Sequence, residues 1–166
     1  MDNSFITYLQ RLELIGFFSG YALLYSIIIF WAGNNRSQNS LRSRAASLLP
    51  YAYALAGTLY LGLQLKEFFL NNDPNMAFPF LKIWGLLSIL FWIPALNKKT
   101  VFSLIHSLVF LFLPIRDIFL QKISSTPDNS LLRNDMKIYT ASLLLNLVCL
   151  LLILSLSFLF KRTRPL

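Results

Sequence analysis

Five apolar runs, at residues 14–33, 47–65, 78–96, 101–120 and 138–160, occupy most of this chain and are separated by short polar links. Runs of about 20 apolar residues match the length at which an α-helix crosses the roughly 30 Å hydrocarbon core of a bilayer. In that medium every backbone N–H and C=O must find a partner inside the structure, which at these lengths demands helices. The expected fold class is all-α: a polytopic integral membrane bundle of five transmembrane helices, forming one membrane domain over residues 1–166. With 56% hydrophobic and 13% charged residues, the chain lies outside the ordinary soluble range and leaves no room for a separate soluble domain.

The charges divide unevenly between the links. Segments 34–46, 97–100 and 161–166 hold Arg36, Arg42, Arg44, Lys98, Lys99, Lys161, Arg162 and Arg164 and no acid, which accounts for the whole net charge of +8. The remaining links and helix ends hold the other seven cations and all seven acidic residues. Positive residues stay on the cytoplasmic side, so the expected orientation is N-out and C-in, in a bacterial cytoplasmic (inner) membrane. The basic links would then meet anionic headgroups on the cytoplasmic face. A pI of about 9.9 would suggest nucleic acid for a soluble protein, but here the basic residues flank apolar runs. No nucleic-acid partner is expected. The first run is expected to be retained, because Asp2 and a lone Arg11 do not make the basic start of a cleavable signal.

Along the chain, Gly16 and Gly20 make a GxxxG spacing that permits close helix approach, and Ala54, Thr58 and Gly62 form a second small-residue series. The second run is expected to open at Pro50, tolerated in a first helical turn. Its Tyr53, Gly57, Tyr60, Gln64 and Glu67 share one face, polar by membrane standards. Asn71 to Asn75 reads as a turn. Lys82 lies early in the third run, and Pro94 ends or kinks that run just before a link so short that runs three and four must form a hairpin. The fourth run crosses only by continuing past Pro114 to about Leu120, which puts Arg116 and Asp117 near the outer interface. Residues 121–137 should form the largest external loop.

Polar groups inside a bilayer are costly, so each is a candidate site. His106, the sole histidine, shares a face with Ser103, Ser107, Phe110, Pro114 and Asp117, and suits either a proton relay or an interhelical hydrogen bond. One histidine and one cysteine, Cys149, exclude a bis-histidine haem and a CxxC pair, so no cofactor or metal site is expected. Asn146 lies on a stripe with Tyr139, Ser142, Cys149, Ile153 and Ser157. Glu13, Glu67, Lys82 and the Arg116–Asp117 pair sit near outer helix ends, as a charged ring at a cavity mouth or as ordinary interfacial pairs. No GxSxG, HExxH or glycine-rich phosphate loop occurs, so no catalytic residues are expected. The resulting expectation is a non-enzymatic subunit or scaffold of a larger membrane assembly, with a membrane-protein partner or a second copy. One alternative is a small transporter or channel component whose polar route follows Tyr53, Tyr60, Gln64, Glu67, His106 and Asp117. Another is a sensory or signalling module.

Overall fold

The computed structural model describes residues 12–33, 41–71, 80–123 and 129–162, nearly all helical, with no strand among them. Helix α1 covers residues 12–18 and, after a turn at Ser19 and Gly20, α2 continues as Tyr21–Gly33. Helix α3 is Leu41–Asn71. Helix α4, Phe80–Leu86, narrows into a 3-10 segment at Leu87–Trp92, followed by the short α5, Pro94–Asn97. Helices α6, Thr100–Ile123, and α7, Asn129–Arg162, complete the chain.

Two boundaries depart from the sequence expectation. Helix α3 opens at Leu41 rather than at Pro50, so residues 41–46 of the expected 34–46 link belong to its first turns. Leu, Arg and Ala at 41–46 are strong helix formers. Arg42 and Arg44 also lie over the Trp31 and Phe158 rings, at 4.8 and 4.7 Å, which holds those turns against neighbouring helix ends. Pro50 then sits inside the helix, where it withholds a donor from the Ala46 carbonyl, and its ring is fully buried. The expected 121–137 loop is likewise mostly helix, because α6 runs through Pro114 to Ile123 and α7 begins at Asn129.

The third run breaks where its sequence says it should, with details of its own. A 3-10 helix repeats every three residues, so Ser88 and Phe91 fall on one face, and both are buried. Ser88 bonds back to the Gly85 carbonyl at 2.6 Å, at the junction between the two helix types. Ile93 precedes a proline and is extended (φ −73°, ψ 123°), which stops the 3-10 segment. Buried Asn97 then donates to the Phe91 carbonyl at 3.3 Å, satisfying a group that the break leaves over.

The contacts fix the relative directions of the rods. Glu13 at the start of α1, Gln64 and Glu67 near the end of α3, and Lys82 in α4 meet at one end. Trp31 at the end of α2, Arg42 and Arg44 at the start of α3, and Phe158 near the end of α7 meet at the other, where Tyr25 also pairs with Thr100 at the start of α6. The rods α1–α2, α3, α4–α5, α6 and α7 therefore alternate in direction along the chain. Helix α3 is central and touches α2, α4, the 3-10 segment, α6 and α7. Around it pack Phe18, Tyr21, Tyr53, Tyr60, Phe91, Phe110 and Leu150, with small residues Ala52, Ala54 and Ala56 of α3 permitting close approach.

Large apolar side chains cover the outside, among them Phe30 at 87%, Phe69 at 74% and Phe160 at 70% exposure, a surface suited to lipid rather than water. Three helices are long and apolar enough to cross a membrane: Leu12–Ala32, Leu41–Phe69 and Met136–Phe160. The other apolar helices, Phe80–Trp92 and Thr100–Leu113, are shorter. At the rises of α- and 3-10 helices, Phe80–Trp92 extends roughly 22 Å, less than a hydrocarbon core.

Candidate functional site

Three groups of polar side chains are built into the bundle. The first surrounds His106 on α6. Its Nδ1 lies 2.8 Å from the Tyr53 hydroxyl of α3, and its ring stacks on Trp84 of α4 at 4.8 Å and 6°. The Trp84 indole N–H donates to the His106 carbonyl at 3.2 Å, so the same residue is held through both ring and backbone. Tyr53, Phe91 and Phe110 approach the imidazole within 6.0 Å, edge-on or tilted. The second imidazole nitrogen, Nε2, is buried with no hydrogen-bond partner. Nearby, the Ser103 hydroxyl donates to the Thr100 carbonyl, which leaves its oxygen to accept from Tyr21 at 2.7 Å. His106 thus bonds a phenol rather than a serine.

The second group joins α1–α2 to α7. Ser19 and Gly20 form a turn at which the Ser19 N–H still bonds the Ile15 carbonyl but the Gly20 N–H turns to α7, which supplies partners at the break. The Gly20 N–H donates to Ser142 Oγ at 2.9 Å, and Asn146 Nδ2 donates to the Phe17 carbonyl at 2.8 Å. Ser142 and Asn146 are one turn apart and fully buried. A Cβ on Gly20 would overlap the backbone of Ser142 and Leu143, so only glycine allows this approach. Of the GxxxG pair, Gly20 makes the crossing, while Gly16 has room to spare and meets only Ile138.

The third group lies at the end of the bundle where α1, α3 and α4 converge. Gln64 Nε2 donates to Glu13 Oε2 at 3.3 Å, and Lys82 Nζ stands 3.9 Å from Glu67 Oε2. Lys82 is only 2% exposed, whereas Glu67 is 27% exposed and opens to the surface. Tyr60, one turn deeper than Gln64, is fully buried between Phe17 and Phe18, and its hydroxyl has no partner.

Other candidates separate. Ala54 is buried, Gly62 is open, and Thr58 is exposed, with its hydroxyl donating to the Ala54 carbonyl and accepting from Trp92 at 2.9 Å. These three residues do not present one free small face. Asp117 lies on α6, but its side chain is outside the described residues, as are the side chains of 129–135. The expected route through Tyr53, Tyr60, Gln64, Glu67 and His106 divides into the two separate groups above, with the Phe18 ring stacked on Phe110 and edge-on to both tyrosines between them.

Sequence reasoning did not single out Trp84 as the partner of His106, Asn97 as a cap, or Gly57. A Cβ on Gly57 would strike Ser88 Oγ, so this glycine sets the closest approach of α3 to the 3-10 segment. Its position on the Tyr53–Tyr60 face was visible, but its neighbour was not. Among the described residues no three His, Cys, Asp or Glu side chains come together. Comparison with protein-family models, curated proteins and solved structures finds no match.

Proposed function

We propose that this chain is a non-enzymatic subunit or scaffold of a larger membrane assembly, crossing the bilayer five times with its N-terminus outside and C-terminus inside. The observation that carries this reading is where the polar groups go. Ser142, Asn146, Tyr21, Ser103, Tyr53, His106 and Trp92 are engaged with other helices of the same chain, while aromatic and aliphatic side chains form the exterior. Such an interior holds helices in register and leaves the surface for lipid and neighbouring proteins. Helix α7 fits a contact role best, since the most apolar window of Met136–Phe160 is only 22% buried within the bundle.

Five crossings are supported by the alternating rod directions and by the length of α6, whose 24 residues extend about 36 Å. The α4–α5 rod crosses by combining an α-helix, the longer-rising 3-10 segment and α5. Arg42, Arg44 and Lys99, each over an aromatic ring at the same end, support a cytoplasmic interface against anionic headgroups. The same asymmetry fits the bacterial cytoplasmic membrane that we propose as its location.

A photo-crosslinking amino acid at exposed Val148 or Leu152 of α7 tests the assembly. A discrete adduct, retained when the protein is purified in mild detergent, is expected from either position. A chain that is monomeric and yields no adduct at either site refutes the subunit reading. The transporter reading draws on one observation, the partly open Glu13–Gln64–Glu67–Lys82 group. Flux in proteoliposomes that responds to Glu67→Gln or His106→Ala would favour it instead.

A further inference from the structure

Arg116 stands in a groove whose other walls are apolar. The groove, of about 400 Å³, runs along the part of α6 remote from Thr100 and is lined by Phe112, Leu113, Ile115, Arg116 and Phe119. Phe112, Ile115, Arg116 and Phe119 are all exposed, so this surface faces whatever surrounds the bundle rather than its core. Among the described residues Arg116 makes no ion pair, and the next position, 117, falls on a different face of the helix.

Depth makes this cation costly. Helix α6 starts beside exposed Lys99, and Arg116 follows seventeen residues later, about 26 Å along the axis. On α3 the corresponding interval, from Arg44 to exposed Lys66, is twenty-two residues, or about 33 Å. A hydrocarbon core is roughly 30 Å thick, so Arg116 stops short of its far edge while exposed Phe119 carries the apolar surface on beyond it. The helix also aims Arg116 inward. Side chains lean toward the helix N-terminus, which lays Arg116 back over the turn of Phe112 and Leu113, the two residues that share its groove. A guanidinium held there is unfavourable unless an anion comes to it. Phosphate is the anion that a bilayer supplies with an apolar tail attached, and its oxygens match the planar fork of arginine. We infer that this groove binds one phospholipid, its phosphate drawn down onto Arg116 and an acyl chain lying along Phe112, Ile115 and Phe119. The site requires only that α6 lies in lipid, so it stands whether the chain is a scaffold or a transporter.

The test is native mass spectrometry of the full-length protein in mild detergent, titrated with phosphatidylglycerol or with diacylglycerol carrying the same two chains and no phosphate. The wild type should retain one phospholipid and no diacylglycerol. Arg116→Gln keeps the length of the side chain and removes its charge, and it should weaken phospholipid retention about tenfold or more, the value of a charge-assisted hydrogen bond. Phe119→Ala should weaken it by a smaller factor through the acyl half of the site. Both residues are exposed, so both variants should keep the wild-type Tm in detergent. Lys66→Gln, which removes an exposed cation from the same end of the bundle, should retain the lipid as the wild type does. The inference is overturned if the wild type retains no phospholipid or holds diacylglycerol equally well. It is overturned too if Arg116→Gln or Phe119→Ala binds as the wild type does, or if Lys66→Gln loses as much as Arg116→Gln, which would leave only unspecific attraction between cations and headgroups.

Discussion

His106 shows how a single polar residue is accommodated far from water. Its ring is shared between a tyrosine hydroxyl and a tryptophan face, so bond and stack act together. Removing the hydroxyl alone should therefore cost less than removing the ring. Tyr53→Phe is expected to lower stability by about 1 kcal/mol, the usual range of interhelical hydrogen bonds in membranes. His106→Ala should cost about 2–4 kcal/mol, because a cavity opens beside Trp84, Phe91 and Phe110. Unfolding of both variants in mixed micelles checks the order, and equal losses would mean that the hydrogen bond is the whole of the interaction. Glycines give a sharper contrast. Gly20→Leu should exceed the 1–3 kcal/mol typical of overpacking, because its obstacle is the α7 backbone, whereas Gly62→Leu should be nearly neutral, with open space around it. Expression yield and thermal stability of the two variants, measured side by side, decide this.

Between elements, the interrupted α1–α2 rod and α7 make one unit. A break in a membrane helix strands backbone groups that water cannot reach, and here Ser142 and Asn146 reach both sides of the break. The two side chains should therefore act jointly. Ser142→Ala and Asn146→Ala are each expected to cost about 0.6–1.7 kcal/mol. The double variant should cost less than the two together, since losing either one lets α7 move away from the break. A double-mutant cycle on unfolding free energy measures this coupling, and strict additivity would refute the joint role. The same logic explains the 3-10 segment, where Gly57 admits Ser88 and the proline at 94 ends the run.

For the whole molecule the main expectation is topological. The two ends of the bundle differ in charge, with Glu13, Glu67 and Lys82 at one and Arg42, Arg44 and Lys99 at the other. Positive residues resist translocation, so the second end should lie inside. Reporter fusions after residues 38, 76, 98, 126 and 166 should read in, out, in, out, in. Matching signals at 76 and 126, opposite to 98, are the part that separates five crossings from three. If 76, 98 and 126 all report the same side, the α4–α5 rod and α6 form a re-entrant hairpin.

The helical class, the apolar runs and the break at Pro94 were readable from the chain, because each depends on local chemistry: run length, hydropathy and the geometry of a pre-proline residue. The charge asymmetry was readable too, since it needs only a count along the chain. The start of α3 at Leu41 was hidden, because Arg42 and Arg44 look like loop residues until Trp31 and Phe158 are seen beneath them. Which side of each helix faces the core was hidden for a deeper reason. In lipid both faces of a helix are apolar, so periodicity carries little information about inside and outside. The pairing of His106 with Trp84, the capture of Gly20 by Ser142, and the burial of Lys82 beside Glu67 all join residues from different helices. Each depends on the rotation and depth at which two helices meet, and only the packed bundle sets those.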